Sequence, residues 1–121
     1  MKNYVAVCLL LLSLTITGSA ETTDPLEAGF RSPPHDAKAL TWWHWQDGNI
    51  TREGITSDLE AMDEAGLAGA YLFSVSLRLP KGPARFMSPE WIDLVGYTIK
   101  EADRLGLDFG MHNCEDRKSV V

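Results

Sequence analysis

Residues 68–75, Ala-Gly-Ala-Tyr-Leu-Phe-Ser-Val, are small and apolar almost without interruption. A continuous apolar run of this length is typical of a strand buried on both faces, as in a parallel sheet. Parallel neighbours are joined by crossover connections, which are usually helices and are right-handed. The run therefore predicts a helix on each side of it in the chain.

Helical patterns do flank the run. In the first, Thr51 caps the start, Ile55 and Leu59 recur at helical spacing, and Gly66 suits the left-handed end. Ser88-Pro89-Glu90 is a strong start for the second helix, which ends at Gly106. The predicted buried stripe of the second helix is Trp91, Leu94, Val95, Thr98, Ala102 and Leu105.

Two further strands are predicted, at Leu40–Trp45 and Leu107–His112. The order β-α-β-α-β belongs to an open doubly wound sheet or to a closed (β/α)8 barrel. No glycine fingerprint follows any strand, which disfavours the dinucleotide-binding alternative. The predicted fold class is α/β, a partial (β/α)8 TIM barrel with its first three strands and two helices.

The ends of the chain predict a secreted or periplasmic protein. Lys2, the apolar run Tyr4–Ile16 and the small residues up to Ala20 form a signal peptide over residues 1–20, cleaved after Ala20. A retained membrane anchor is the weaker alternative, because the run is short for a bilayer. An extended leader is expected over 21–38, the barrel segment over 39–114, and a tail unlike the rest over 115–121.

Composition excludes several classes. Without the signal peptide, ten basic residues face seventeen acidic ones, a net charge of −7, which argues against a nucleic-acid partner. The mature chain keeps one cysteine, Cys114, so it forms no internal disulfide. No membrane span is expected after signal cleavage.

Strand ends are where a barrel carries its functional groups. Trp42-Trp43-His44-Trp45 ends the first strand, and because neighbours on a strand point to opposite faces, at least one indole meets a second core, a cleft or a ligand. Aromatic rings suit the C–H faces of sugars, while ordinary core packing and structural histidines are the alternatives. The predicted substrate-binding residues are Trp43, His44, Trp45, Asp47, His112 and Asn113.

No catalytic residue is predicted in this segment. Glycoside hydrolysis usually needs two facing carboxyl groups, and outside the helices and the tail the acids offer no convincing pair. The histidine spacing fits no metal site, so no cofactor is expected here, although a metal ion elsewhere in a longer enzyme stays open. Arg78, Lys81 and Arg85 crowd one acid-free loop, which is either solvated or attractive to a carboxylate-bearing substrate.

Several motifs together resemble the start of the catalytic barrel in glycoside hydrolase family 106, the α-L-rhamnosidase-like enzymes. They cover most of the mature chain in the family's order. The motifs are Trp42-Trp43-His44-Trp45, Gly48-Asn49-Ile50-Thr51-Arg52-Glu53-Gly54-Ile55, Asp58-Leu59-Glu60-Ala61-Met62, Gly82-Pro83, Phe86-Met87-Ser88-Pro89-Glu90-Trp91, Glu101-Ala102-Asp103-Arg104-Leu105-Gly106-Leu107 and Gly110-Met111-His112-Asn113-Cys114.

This resemblance implies a secreted bacterial enzyme, much longer than 121 residues, that releases terminal rhamnose from plant cell-wall polysaccharides or oligosaccharides. Its catalytic glutamates would lie beyond residue 121, so only His44, Trp45, His112 and Asn113 carry over, as pocket residues. We expect the chain alone to be inactive and poorly folded. The alternatives are a non-catalytic carbohydrate-binding segment and a barrel hydrolase for another sugar.

The chain departs from the family after Cys114. The family continues with a glycine-, serine- and tryptophan-rich loop, whereas residues 116–121, Asp-Arg-Lys-Ser-Val-Val, are what a translated sequencing adapter gives. We therefore expect residues 115–121 to be a sequencing artefact.

Overall fold

A computed structural model describes residues 24–113 and residue 115. The predicted signal peptide, Cys114 and positions 116–121 of the predicted tail lie outside the described residues. The chain divides into two compact units, with the boundary between Ser32 and Pro33. In the first unit, helix α1 spans Pro25–Arg31.

Helix α1 corrects the prediction of an extended leader over 21–38. The Asp24 side chain accepts a hydrogen bond from the Leu26 N–H at 3.0 Å, and Pro25 occupies the first turn. Glu27 and Arg31 pair one turn apart at 2.8 Å. A capping carboxylate followed by proline favours a helix start. The polar composition of this segment had instead led to the prediction of an extended chain. In the second unit, a short 3₁₀ helix spans His35–Ala37, also within the predicted leader.

The second unit has the predicted β-α-β-α-β order. Its three strands form one parallel sheet in the order β1-β2-β3, which confirms a parallel α/β arrangement. The elements are β1 (Leu40–Gln46), α2 (Arg52–Glu64), β2 (Gly69–Val75), α3 (Pro89–Leu105) and β3 (Asp108–Met111).

The predicted helix boundaries hold because local hydrogen bonds fix them. The Thr51 hydroxyl accepts the Gly54 N–H at 3.1 Å, and the Ser88 hydroxyl accepts the Trp91 N–H at 3.2 Å. These bonds satisfy amides that have no partner within the first turn of a helix. Gly106 ends α3 with a φ of 69°, in the left-handed region that glycine adopts without strain.

One hydrophobic core lies between the sheet and helices α2 and α3. The sheet contributes Trp43, Trp45 and Leu72, and the helices contribute Ile55 and Leu59 together with their neighbours. The strand residues among them occupy alternate positions, so their side chains all point to the helix side of the sheet. The remaining buried members of this core are Ala70, Trp91, Val95, Ala102 and Leu107.

The opposite side of the sheet is less covered than the apolar run of β2 predicted. Tyr71 is exposed and Phe73 is half-buried, whereas Ala70, Leu72 and Ser74 on the helix side are buried. The Tyr71 ring lies against Gly110, where an added Cβ would come within 2.3 Å of the ring. We call this side the open face, defined by Trp42, His44, Tyr71, Phe73 and His112.

Replacing Gly69 by alanine should damage the sheet severely. A Cβ at Gly69 would lie 1.9 Å from the backbone oxygen of Asp108, so β2 and β3 would have to separate. Backbone cannot rotate out of the way as a side chain can, and we expect a loss of about 3 kcal/mol or more. The effect is measured as the fall in melting temperature of a folded protein that contains this segment.

Gly96→Ala is the matched control. Its added Cβ would meet nothing within 4 Å, and in the exposed interior of α3 it should stabilise by about 0.5–1 kcal/mol. Equal effects of the two substitutions would contradict the β2–β3 contact described above.

Candidate functional site

The carboxyl ends of the three strands meet at one edge of the sheet. His44 pairs with Phe73 in the β1–β2 register, and the His112 N–H donates to the Leu72 carbonyl at 2.9 Å. Asp47 and Asn113 follow directly at the same edge. The parallel register therefore brings together the strand ends that the sequence singled out.

Phe73 lies at the centre of the open face. Its ring centroid is 5.7 Å from that of His44, 4.8 Å from that of His112 and 5.8 Å from that of Trp42. Trp42 also contacts Tyr71, with centroids 5.9 Å apart. A depression of about 240 Å³ is lined by Trp42, His44 and Phe73. Flat rings beside imidazole nitrogens can stack on a sugar ring and bond its hydroxyl groups.

Trp43 and Trp45 do not join the open face. Both are buried on the helix side, with their centroids 5.6 Å apart, and Trp45 also packs edge-on against Trp91 at 6.3 Å. The Trp43 N–H donates to Asp58 at 2.9 Å. Strand alternation thus keeps both indoles off the open face. Trp45 nevertheless lines a groove beside β1 together with His44.

Asp47 also differs from its predicted role as a sugar ligand. Its side chain is fully buried and accepts hydrogen bonds from the backbone N–H groups of Leu77 and Leu79, at 2.8 and 3.0 Å. The Ser76 hydroxyl donates to it at 3.0 Å, and the Lys81 ammonium forms an ion pair with it. Both carboxylate oxygens are thus occupied by the β2–α3 loop, which comprises residues 76–87.

The charge of Asp47 is strongly stabilised. The Lys81 ammonium holds the pKa of this carboxyl well below its ordinary value. Burial acts in the opposite direction, and the donors Leu79, Leu77 and Ser76 lower the pKa further. Asp47 is therefore an anionic anchor for the loop.

Backbone contacts add to this attachment. The Gly82 N–H donates to the Asp47 carbonyl at 2.8 Å, and the Ala84 N–H donates to the Gly48 carbonyl at 3.2 Å. A Cβ at Gly82 would lie 2.1 Å from the Gly48 oxygen, so only glycine permits this approach. The turn after β1 and the β2–α3 loop consequently form one packed unit at the strand ends.

Asn113 is exposed directly after His112. Sequence reasoning missed Trp42, Tyr71 and Phe73 as members of the site. Strict alternation from His44, combined with the parallel register, would have placed all three on its face.

Grooves lie along the two lateral edges of the sheet, beside β1 and β3, whose outer sides pair with no other described strand. A groove of about 410 Å³ runs beside β1 and is lined by His44, Gln46 and Leu79, among others. A second groove of about 460 Å³ lies beside β3, next to Ile99 and Met111. Trp45 also lines the first groove, and its buried N–H has no hydrogen-bond partner among the described residues.

Within residues 24–113 and 115, no three His, Cys, Asp or Glu side chains are grouped so that they could hold a metal ion. None of the described helices is both long enough and apolar enough to cross a membrane.

Comparison with known proteins identifies the class as glycoside hydrolase. Residues 31–115 match the alpha-L-rhamnosidase family, glycoside hydrolase family 106, and the chain belongs to this family. The match confirms the resemblance carried by the sequence motifs.

Two relatives illustrate the match. A Formosa agariphila protein named "Putative beta-glucuronidase" is 47% identical over 117 residues, which cover 93% of this chain and 10% of that protein. The solved structure of a rhamnosidase from Novosphingobium sp. PP1Y superposes with a TM-score of 0.67 and 39% identity, covering 76% of this chain and 9% of that one. The chain thus spans about a tenth of the length of these relatives.

Acid should loosen the β2–α3 loop through Asp47. Because its folded-state pKa lies below the ordinary 3.8, the carboxylate stabilises the loop fully above that pH. The stabilisation is lost as the pH falls below that value toward the folded-state pKa. Hydrogen exchange at the Leu77 and Leu79 amides, followed from about pH 6 to about pH 2, should show protection falling in this acid range.

The Ala68 amide is the internal control, since it bonds to the Ala39 carbonyl at the opposite edge of the sheet. Parallel loss of protection at Ala68 and Leu77 would indicate global unfolding and would contradict a role specific to Asp47.

Proposed function

We propose that the complete protein is a secreted or periplasmic glycoside hydrolase that releases terminal rhamnose from plant cell-wall polysaccharides or oligosaccharides. The family match over residues 31–115 carries this proposal. The solved rhamnosidase, 39% identical over the shared segment, supports rhamnose as the sugar. The apolar start of the chain supports export.

The described segment is proposed to form the first three strands of a (β/α)8 barrel. Its edge strands β1 and β3 have unpaired outer sides and adjoin the two grooves. Apolar side chains are exposed here: Met111 in β3, and Ile92 and Ile99 in the adjacent helix α3. Further strands and helices of the kind that the family's greater length allows would cover these surfaces.

In this barrel the open face would point inward and its strand-end rings would face the sugar. His44, His112 and the exposed Asn113 would bond hydroxyl groups, and Phe73 would offer an apolar surface. Trp45, buried in the core, would support β1 beneath them. Asp47, the strand-end carboxylate, is engaged by four donors, so the pair of carboxyl groups that cuts the bond would come from the rest of the enzyme. The 121-residue chain alone is accordingly proposed to be inactive.

A hydrolase for an acidic sugar is the second candidate. The Formosa relative named for β-glucuronidase activity is the more similar of the two, at 47% identity. Arg78 and Arg85 on the β2–α3 loop form no salt bridge among the described residues. A guanidinium suits the carboxylate of a uronic acid.

A segment exchange tests both candidates. Residues 33–113 replace the aligned segment of the Novosphingobium rhamnosidase, and hydrolysis of an aryl α-L-rhamnoside and an aryl β-D-glucuronide is measured. We expect the chimera to hydrolyse the rhamnoside at a rate within about tenfold of that of the parent enzyme. An exchanged segment that keeps the strand-end groups in place costs little transition-state stabilisation. The 121-residue chain by itself, as the matched control, should hydrolyse neither.

Glucuronide hydrolysis by the chimera in place of rhamnoside hydrolysis would favour the second candidate. A folded chimera that binds rhamnose without turnover would favour a non-catalytic binding segment. A folded chimera with neither binding nor activity would contradict the proposed function.

Removing the imidazoles of the open face should weaken sugar binding. In the active chimera, His44→Ala and His112→Ala should each raise KM about 10- to 100-fold, since each deletes a hydrogen-bonding group next to the sugar. His35→Ala is the control, because His35 bonds Asp108 at 3.1 Å at the opposite edge of the sheet. An unchanged KM in both open-face variants would exclude this face from the binding site.

A further inference from the structure

We propose that Asp47 and Lys81 are positioning residues that hold the β2–α3 loop as a wall of the sugar-binding site. The inference rests on the proposed function, but it assigns these two residues a role that they perform through the loop. Neither side chain is proposed to touch the sugar.

The loop depends on this pair because it has little apolar packing of its own. Leu77 and Leu79 are 55% and 45% exposed, and Met87 also faces outward. Within the described part of the loop, Ala84 is fully buried, and Phe86 packs against Trp91 with centroids 5.0 Å apart. Those contacts hold the half of the loop near α3. The half near β2 is held by its hydrogen bonds to Asp47 and by one further bond, from the Asn49 side-chain amide to the Pro80 carbonyl at 2.8 Å.

Lys81 closes this first half into a compact turn. Its ammonium pairs with Asp47 and also donates to the Ser76 hydroxyl at 2.8 Å, which links the first residue of the loop to the sixth. Asp47 in turn holds the Leu77 and Leu79 amides between these two points. Loss of the ammonium would leave a buried carboxylate with backbone and hydroxyl donors alone, so the turn would relax.

The Asp47–Lys81 pair lies next to the groups that would contact the sugar. The Asp47 N–H donates to the Val75 carbonyl at 2.8 Å, which extends the β1–β2 pairing one residue beyond the strands. Asp47 lies three residues after His44, and the loop begins three residues after Phe73. The loop and its anchor are thus close in the chain to two rings of the open face. Leu79 and His44 line the same groove, so a displaced loop changes the surface beside this imidazole.

The test uses the full-length chimera described above. Lys81→Met and Asp47→Asn should raise KM for the rhamnoside about tenfold, with kcat per folded active site changed by less than about threefold. Lys81→Arg, which keeps the charge and the donors, should restore KM to near the starting value. Lys100→Met and Asp63→Asn alter an exposed lysine and an exposed aspartate elsewhere, and they should leave KM unchanged.

Asp47→Asn also places an amide NH2 group against two of the four donors, so it can unfold the loop; Lys81→Met then decides alone. A folded Lys81→Met chimera with unchanged KM overturns the inference, including the case in which only its melting temperature falls. Failure of Lys81→Arg to restore KM also overturns it. A folded, unsubstituted chimera with neither sugar binding nor activity would instead refute the proposed function, and this inference with it.

Discussion

The parallel pairing of β1 with β2 is the constraint on which the rest of the segment depends. Its register, from Leu40 with Gly69 to Gln46 with Val75, decides which side chains share a face. On the helix side it stacks Trp43 and Trp45 over Leu72 and completes the core. On the other side it sets His44 beside Phe73, and at its end it brings Asp47 to the loop that follows β2. Core, open face and loop attachment thus follow from one alignment of two strands.

Local signals allowed most of the second unit to be predicted. Thr51, Ser88 and Gly106 act within a few residues of themselves, so their effects can be recognised without tertiary structure. The role of Asp47 was beyond such reasoning, because its partners lie about thirty residues further along the chain. The tryptophan cluster was an intermediate case: alternation separated its members, but only the position of α2 and α3 decided which members would be buried. Helix α1 was missed although Asp24 and Pro25 carried the signal.

Membership of the α-L-rhamnosidase family gives the open face its context. Polar and aromatic groups placed at the carboxyl ends of parallel strands are held by a rigid sheet, while the adjoining loops determine what can approach them. In this chain, individual residues show the same division between groups on the sheet and groups on the loop. His44, Phe73 and His112 belong to the sheet and its end, whereas Arg78 and Arg85 belong to the loop. Such an arrangement allows one scaffold to carry different binding surfaces through changes in its loops.

The contact between Tyr71 and Gly110 has a further consequence. Because Gly110 has no side chain, the Tyr71 ring can occupy the space that a Cβ at this position would need. The floor of the open face is therefore built from one strand's ring resting on another strand's backbone. A methyl group at position 110 would displace the Tyr71 ring, so the shape of the open face depends on a residue that contributes no side chain to it.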